Sequence, residues 1–95
     1  MVNPYTDSVD RIFVKRDRYD IIAKILDIAR KGAKKTKILY GANMSYNQLK
    51  QYLSFLLEKK LLILVPENPS EKYRTTPKGI EYLESYNESK TLLTI

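Results

Sequence analysis

The sequence has no cysteine, no histidine and no tryptophan among its 95 residues. Without Cys or His there is no zinc finger, no iron–sulfur cluster, no thiol nucleophile and no Ser–His or Cys–His pair. No disulfide can form, so packing alone must hold the fold. Glycine is scarce, and its three scattered occurrences leave no phosphate-cradling loop. Long apolar runs are missing too. The longest, residues 61–65, is far shorter than the ~20 residues that cross a bilayer. Residues 1–10 are polar and lack the apolar segment of a secretory signal. Neither a metal, nor a cofactor, nor a membrane partner is expected, and the expected location is the cytoplasm. A carboxylate or lysine enzyme survives these exclusions in principle.

What remains is one small basic domain. The apolar fraction of 43% is just below the usual globular range and is sufficient for a packed core. The formal net charge is +6, which favours polyanionic partners. This charge is not spread evenly. Residues 19–60 hold nine Lys/Arg against three Asp/Glu, a net of +6, whereas residues 1–18 carry +1 and residues 61–95 carry −1.

Residues 1–16 read as an N-terminal arm, with Ile12-Phe13-Val14 either a short extended piece or a staple onto the first helix. Lys15, Arg16 and Arg18 add a basic edge to it. Asp17 is a candidate helix cap, with Asp20 placed to reach back. Ile22, Ile25, Leu26 and Ala29 then repeat at helical spacing, and Gly32 suits a C-terminal cap, giving a helix over residues 18–31. Thr36 is a candidate cap for a short second helix carrying Ile38, Leu39 and Ala42, which ends near Gly41-Ala42-Asn43. Ser45-Tyr46-Asn47-Gln48 matches a capping box. It opens a third helix running to about residue 60, with Leu49, Tyr52, Leu53 and Leu56 as its apolar stripe. Residues 62–65 and 72–75 read as a β-hairpin around a loop of about five residues containing Pro66 and Pro69. Thr76-Pro77 opens a last helix to about residue 90, followed by an apolar tail, residues 91–95.

A helix, a short helix, a tight turn, a capped helix, a hairpin and a final helix form the order of a winged helix-turn-helix, α+β but mostly α. The domain proper covers residues 17–76, and residues 77–95 form a C-terminal helix and tail. The run Lys35-Thr36-Lys37-Ile38-Leu39-Tyr40-Gly41-Ala42-Asn43-Met44-Ser45-Tyr46 resembles the second helix and turn of small basic crenarchaeal winged-helix DNA-binding proteins. These comprise the ten-kilodalton chromatin-associated group and related predicted transcriptional regulators. Thr76-Pro77-Lys78-Gly79-Ile80-Glu81-Tyr82-Leu83 is similar to that family's Thr-x-Lys-Gly start of the helix after the wing. The resemblance implies a double-stranded DNA partner. It also implies a homodimer through the C-terminal helix, although no heptads follow Lys90.

On the third helix a step of roughly 100° per residue puts Asn47, Gln51, Ser54 and Glu58 opposite Leu49, with Lys50 and Gln48 on the flanks. Asn and Gln suit bidentate bonds to adenine, and Lys suits guanine or phosphate. The DNA-binding set expected is Lys34, Lys35, Lys37, Ser45, Asn47, Gln48, Lys50, Gln51, Ser54, Lys72 and Arg74. The first three lysines hold phosphate beside a helix N-terminus, and the last two lie on one face of the wing. Against this stands an ordinary solvated polar face. Tyr46 and Tyr52 follow the apolar stripe and read as core or core-edge. Tyr82, Tyr86, Leu92, Leu93 and Ile95 form a candidate dimer surface, unless the tail folds back on its own domain.

The function expected is a sequence-preferring DNA-binding regulator, associated with the nucleoid. A sequence-tolerant chromatin protein and a winged-helix protein-interaction module are the alternatives. An enzyme is the weakest reading, because no acidic or nucleophilic residues cluster.

Overall fold

Asp17 begins the described chain with its carboxylate accepting the Asp20 amide at 2.9 Å, which fixes the start of the first helix. The structure, a computed structural model, describes residues 17–94; the arm, with Lys15 and Arg16, lies outside them. Helix α1 spans Arg18–Ile28, α2 spans Lys35–Ala42 and α3 spans Tyr46–Glu58. Strands β1, Leu62–Val65, and β2, Lys72–Thr75, pair antiparallel with Leu62 opposite Thr75 and Val65 opposite Lys72. Helix α4 spans Pro77–Thr94.

The core is where the periodicities meet. Ile22, Ile25, Leu26 and Ala29 from the α1 segment pack with Ile38 and Ala42 of α2, Leu49, Leu53 and Leu56 of α3, Leu62 of β1 and Leu83 of α4. Each apolar stripe faces inward, which is what a three-helix core closed by a hairpin requires.

The wing is tied to α1. Ala33 and Tyr73 exchange two backbone hydrogen bonds of 2.8 Å, so the link between α1 and α2 adds an isolated bridge to β2. Thr75 donates its amide to the Ala29 carbonyl at 2.9 Å and its hydroxyl to the Leu26 carbonyl at 2.6 Å. These bonds satisfy carbonyls that the end of α1 leaves free. Gly32, at φ +100°, makes the reversal into this bridge, a conformation that suits glycine.

Several sequence expectations are corrected. Helix α1 stops at Ile28, and Arg30 and Lys31 lie in the turn beyond it. Asp20 does not serve as a reach-back cap; its carboxylate accepts the Tyr86 hydroxyl from α4. Thr36 does not cap α2, whose N-cap is Lys34 and carries no side-chain bond. The end of α2, by contrast, falls where the sequence placed it: the helix stops at Ala42 and Asn43 takes the left-handed position at φ 53°. The wing strands match the sequence reading, and the loop between them comprises residues 66–71. Helix α4 continues through Thr94, so residues 91–94 are helical instead of a tail. Leu92 is 69% exposed and does not fold back. The side chain of Leu93 and all of Ile95 lie outside the described residues.

Candidate nucleic-acid interface

Helices α2 and α3 are joined by three residues, Asn43, Met44 and Ser45. Asn43 turns the chain in the left-handed region, and Ser45 starts α3 immediately. Its Oγ accepts the Gln48 amide at 3.2 Å, and Gln48 Oε1 accepts the Ser45 amide at 3.3 Å, completing the capping box. One acceptor site of each side chain is therefore used in holding the helix. Their donors, the serine hydroxyl and the glutamine amide, are not engaged in the cap and can serve another molecule.

Helix α3 ends on a Schellman motif. The Leu61 amide donates to the Leu56 carbonyl at 2.9 Å and the Lys60 amide to the Leu57 carbonyl at 3.1 Å. Lys60 takes the left-handed position at φ 63°. Leu49, Leu53 and Leu56 anchor the inner side. Asn47, Lys50, Gln51 and Ser54 are all exposed on the outer side, as is Glu58 further along. Thus a rigid, capped helix presents two amides, a hydroxyl and a lysine outward.

Lys34 and Lys37 are exposed and Lys35 is half-buried. All three sit at the beginning of α2, a helix whose first turn has no acidic residue and no side-chain cap. The Lys35 ammonium lies 5.5 Å from the centre of the Tyr46 ring. Tyr46, expected in or beside the core, is 52% exposed, and Tyr40 on α2 is 80% exposed; sequence reasoning assigned neither to the site. The usable signal for Tyr46 was its position, roughly 60° from Leu49 on the helical wheel, at the edge of the stripe. Tyr52 is half-buried and packs against the core.

On the wing, Lys72 and Arg74 alternate with Tyr73 and Thr75, and their cross-strand partners are Val65 and Ile63. Neither basic residue therefore faces a charged residue on the opposite strand. Arg74 is exposed, whereas Lys72 forms an ion pair with Glu67 of the wing loop at 3.2 Å.

Tyr82 and Tyr86 of α4 are turned toward α1. Tyr82 donates to the Tyr19 carbonyl at 3.3 Å and Tyr86 to Asp20. The two rings stack at 6.4 Å. Burial, the hydrogen bond to Asp20 and the nearby carboxylates push the Tyr86 hydroxyl up to about 12, and burial first, then Tyr19, Asp17 and Asp20, also raises Tyr82. Among the described residues no group of acidic side chains is placed to hold a metal ion, and no helix is long and apolar enough to cross a membrane.

The model of the winged helix-turn-helix family matches residues 15–94. The chain belongs to this family. Among solved structures, the winged helix is similar to Sso10a-2, a DNA-binding protein from Sulfolobus solfataricus. The TM-score is 0.75 and the identity 25%, over 83% of each chain. The fold is also similar to that of MepR, a transcription regulator of a Staphylococcus aureus multidrug efflux pump. There the TM-score is 0.65 and the identity 14%, over 93% of this chain and 70% of MepR. Two uncharacterized proteins of Methanocaldococcus jannaschii are related in sequence. MJ0290 is 37% identical over 79% of this chain, and MJ0287 is 29% identical over 78% of it. The winged helix spans 34% of the length of MJ0290 and 73% of MJ0287.

Proposed function

We propose that this winged helix binds double-stranded DNA as a sequence-preferring transcriptional regulator. Helix α3 enters the major groove and the wing lies on the adjacent backbone or minor groove. The observation that carries the reading is the outer face of α3: Asn47, Lys50, Gln51 and Ser54 are exposed side by side on a helix fixed at both ends. Asn47 and Gln51 read adenine through paired hydrogen bonds, and Lys50 reads guanine or a phosphate. Lys34, Lys35 and Lys37 hold phosphate at the start of α2. Ser45 and Gln48 contribute donors at the start of α3. Arg74 contacts the backbone beside the wing, with Lys72 joining it when Glu67 releases it. The DNA-binding description of Sso10a-2 and the excess positive charge within residues 19–60 support the same partner. The protein acts in the cytoplasm on the nucleoid, without catalysis, and pairs as a homodimer through α4, whose Leu92 is left in solvent.

Selection of bound fragments from genomic DNA tests this reading. A recovered motif containing A·T pairs is expected, and a palindrome in it reports a two-fold dimer. Salt-sensitive binding without a motif moves the protein to a sequence-tolerant chromatin role. Absence of binding at low salt, with function surviving charge reversal at Lys35, Lys37 and Lys50, moves it to a protein-docking role.

A further inference from the structure

We propose that Lys35 and Tyr46 form one unit gripping the phosphodiester backbone of duplex DNA, with the Tyr46 ring holding the Lys35 ammonium in place for a phosphate. The proposal deepens the DNA-binding reading and rests on it. Three observations carry it.

The first is the tether. The Lys35 ammonium sits 5.5 Å from the Tyr46 ring centre, within the range of a cation–π attraction. Lys35 opens α2 and Tyr46 opens α3, so the contact spans the helix-turn-helix and fixes a long side chain between its two arms. The second is the free charge. Arg30 is paired with Asp27 and Lys72 with Glu67, but no carboxylate among the described residues pairs with Lys35. An ammonium over a ring keeps its outward donors available. The third is place. Tyr46 is 52% exposed, and by the helical wheel it lies beyond Lys50 rather than among Asn47 and Gln51. That position faces the wall of a groove, where the backbone runs, instead of its floor.

Tyr46 is thus a positioning residue that acts through Lys35. A lysine already held before contact loses less side-chain freedom when it binds. The ring serves the phosphate without touching it.

The test measures binding of the full chain to a fluorescent duplex across a salt series, for wild type, Lys35→Gln, Tyr46→Leu, Tyr46→Phe and the Lys35→Gln/Tyr46→Leu double variant. Losing one phosphate contact lowers the log–log salt slope by about 0.9 and weakens binding roughly eightfold near ~0.1 M salt. Lys35→Gln is expected to show this loss, Tyr46→Leu to weaken binding about threefold with the slope kept because the charge remains, the double variant to lose no more than Lys35→Gln alone, and Tyr46→Phe none, because the ring remains. Melting temperatures are measured alongside. If Tyr46→Leu unfolds, Tyr46→Gln carries the same expectation. Wild-type affinity in the ringless variant, or losses that add in the double variant, overturns the unit while leaving DNA binding standing. No wild-type binding at low salt overturns both readings.

Discussion

Gly79 shows how tightly one position is constrained. A Cβ there would stand 2.5 Å from the Leu61 carbonyl oxygen and 2.5 Å from Thr75 Cγ2. The oxygen is backbone and cannot swing away, so Gly79→Ala must push α4 off the start of the wing. A loss of about 2 kcal/mol in urea unfolding is expected, in the range of overpacked sites. Leu56, fully buried on α3, makes the opposite error when shortened: Leu56→Ala leaves a cavity and costs about 3 kcal/mol by the same measurement. Tyr86 ties stability to pH. Its hydroxyl is raised from 10.0 to about 12 in the folded chain. Its contribution is therefore complete below pH 10 and is lost as pH rises toward 12, when the tyrosinate forms beside Asp20. The melting temperature of the wild type should fall more steeply across that window than that of Tyr86→Phe. A parallel decline in the two proteins would remove Tyr86 from the account.

Helix α3 is the element on which the proposed DNA reading depends, and its ends were unequally legible. The capping box was visible in Ser45 and Gln48 because the donor and acceptor types needed are fixed by local spacing. Ser45→Ala is expected to cost about 1 kcal/mol of stability. The C-terminal end offered no such sign: Lys60 occupies the left-handed position usually given to glycine, and nothing in a lysine announces that geometry. The same limit explains α2, where Thr36 looked like a cap but Lys34 fills that place. A polar side chain near a helix start fits several registers, and tertiary packing of Ile38 and Ala42 chooses among them. The Ala33–Tyr73 bridge and the Asp20–Tyr86 bond join residues far apart in sequence, so no local pattern reveals them. On the outer face of α3, Asn47→Ala and Gln51→Ala should each relax base preference at one A·T pair by about 1–3 kcal/mol, measured with matched and mismatched duplexes. The salt slope should stay at its wild-type value in both, since neither residue carries charge.

At the scale of the molecule, element order and charge location were readable from sequence because each helix carries its own periodicity and the excess charge falls in one stretch. The extent of α4 was not. Residues 87–92 are all exposed, so no buried stripe marks them. A homodimer through this helix predicts twice the chain mass in sedimentation, reverting to one chain in Leu92→Lys; a wild-type monomer at all concentrations would count against it. The joint between α3 and α4 decides what such pairing would mean. Three successive carbonyls past α3 are held by the start of α4: Lys59 by the Lys78 ammonium at 3.1 Å, Lys60 by the Thr76 hydroxyl at 2.7 Å, and Leu61 by the Thr76 amide at 3.0 Å. Thr76 also caps the Gly79 amide at 3.1 Å. Mechanically this is a welded elbow, and α4 is a lever arm about 27 Å long at ~1.5 Å per residue. In a symmetric pair the arm, rather than the reading helix, would set the separation and tilt of the two reading heads. Exchanging α4 for that of a relative would then change the permitted spacing between half-sites and leave the half-site sequence unchanged.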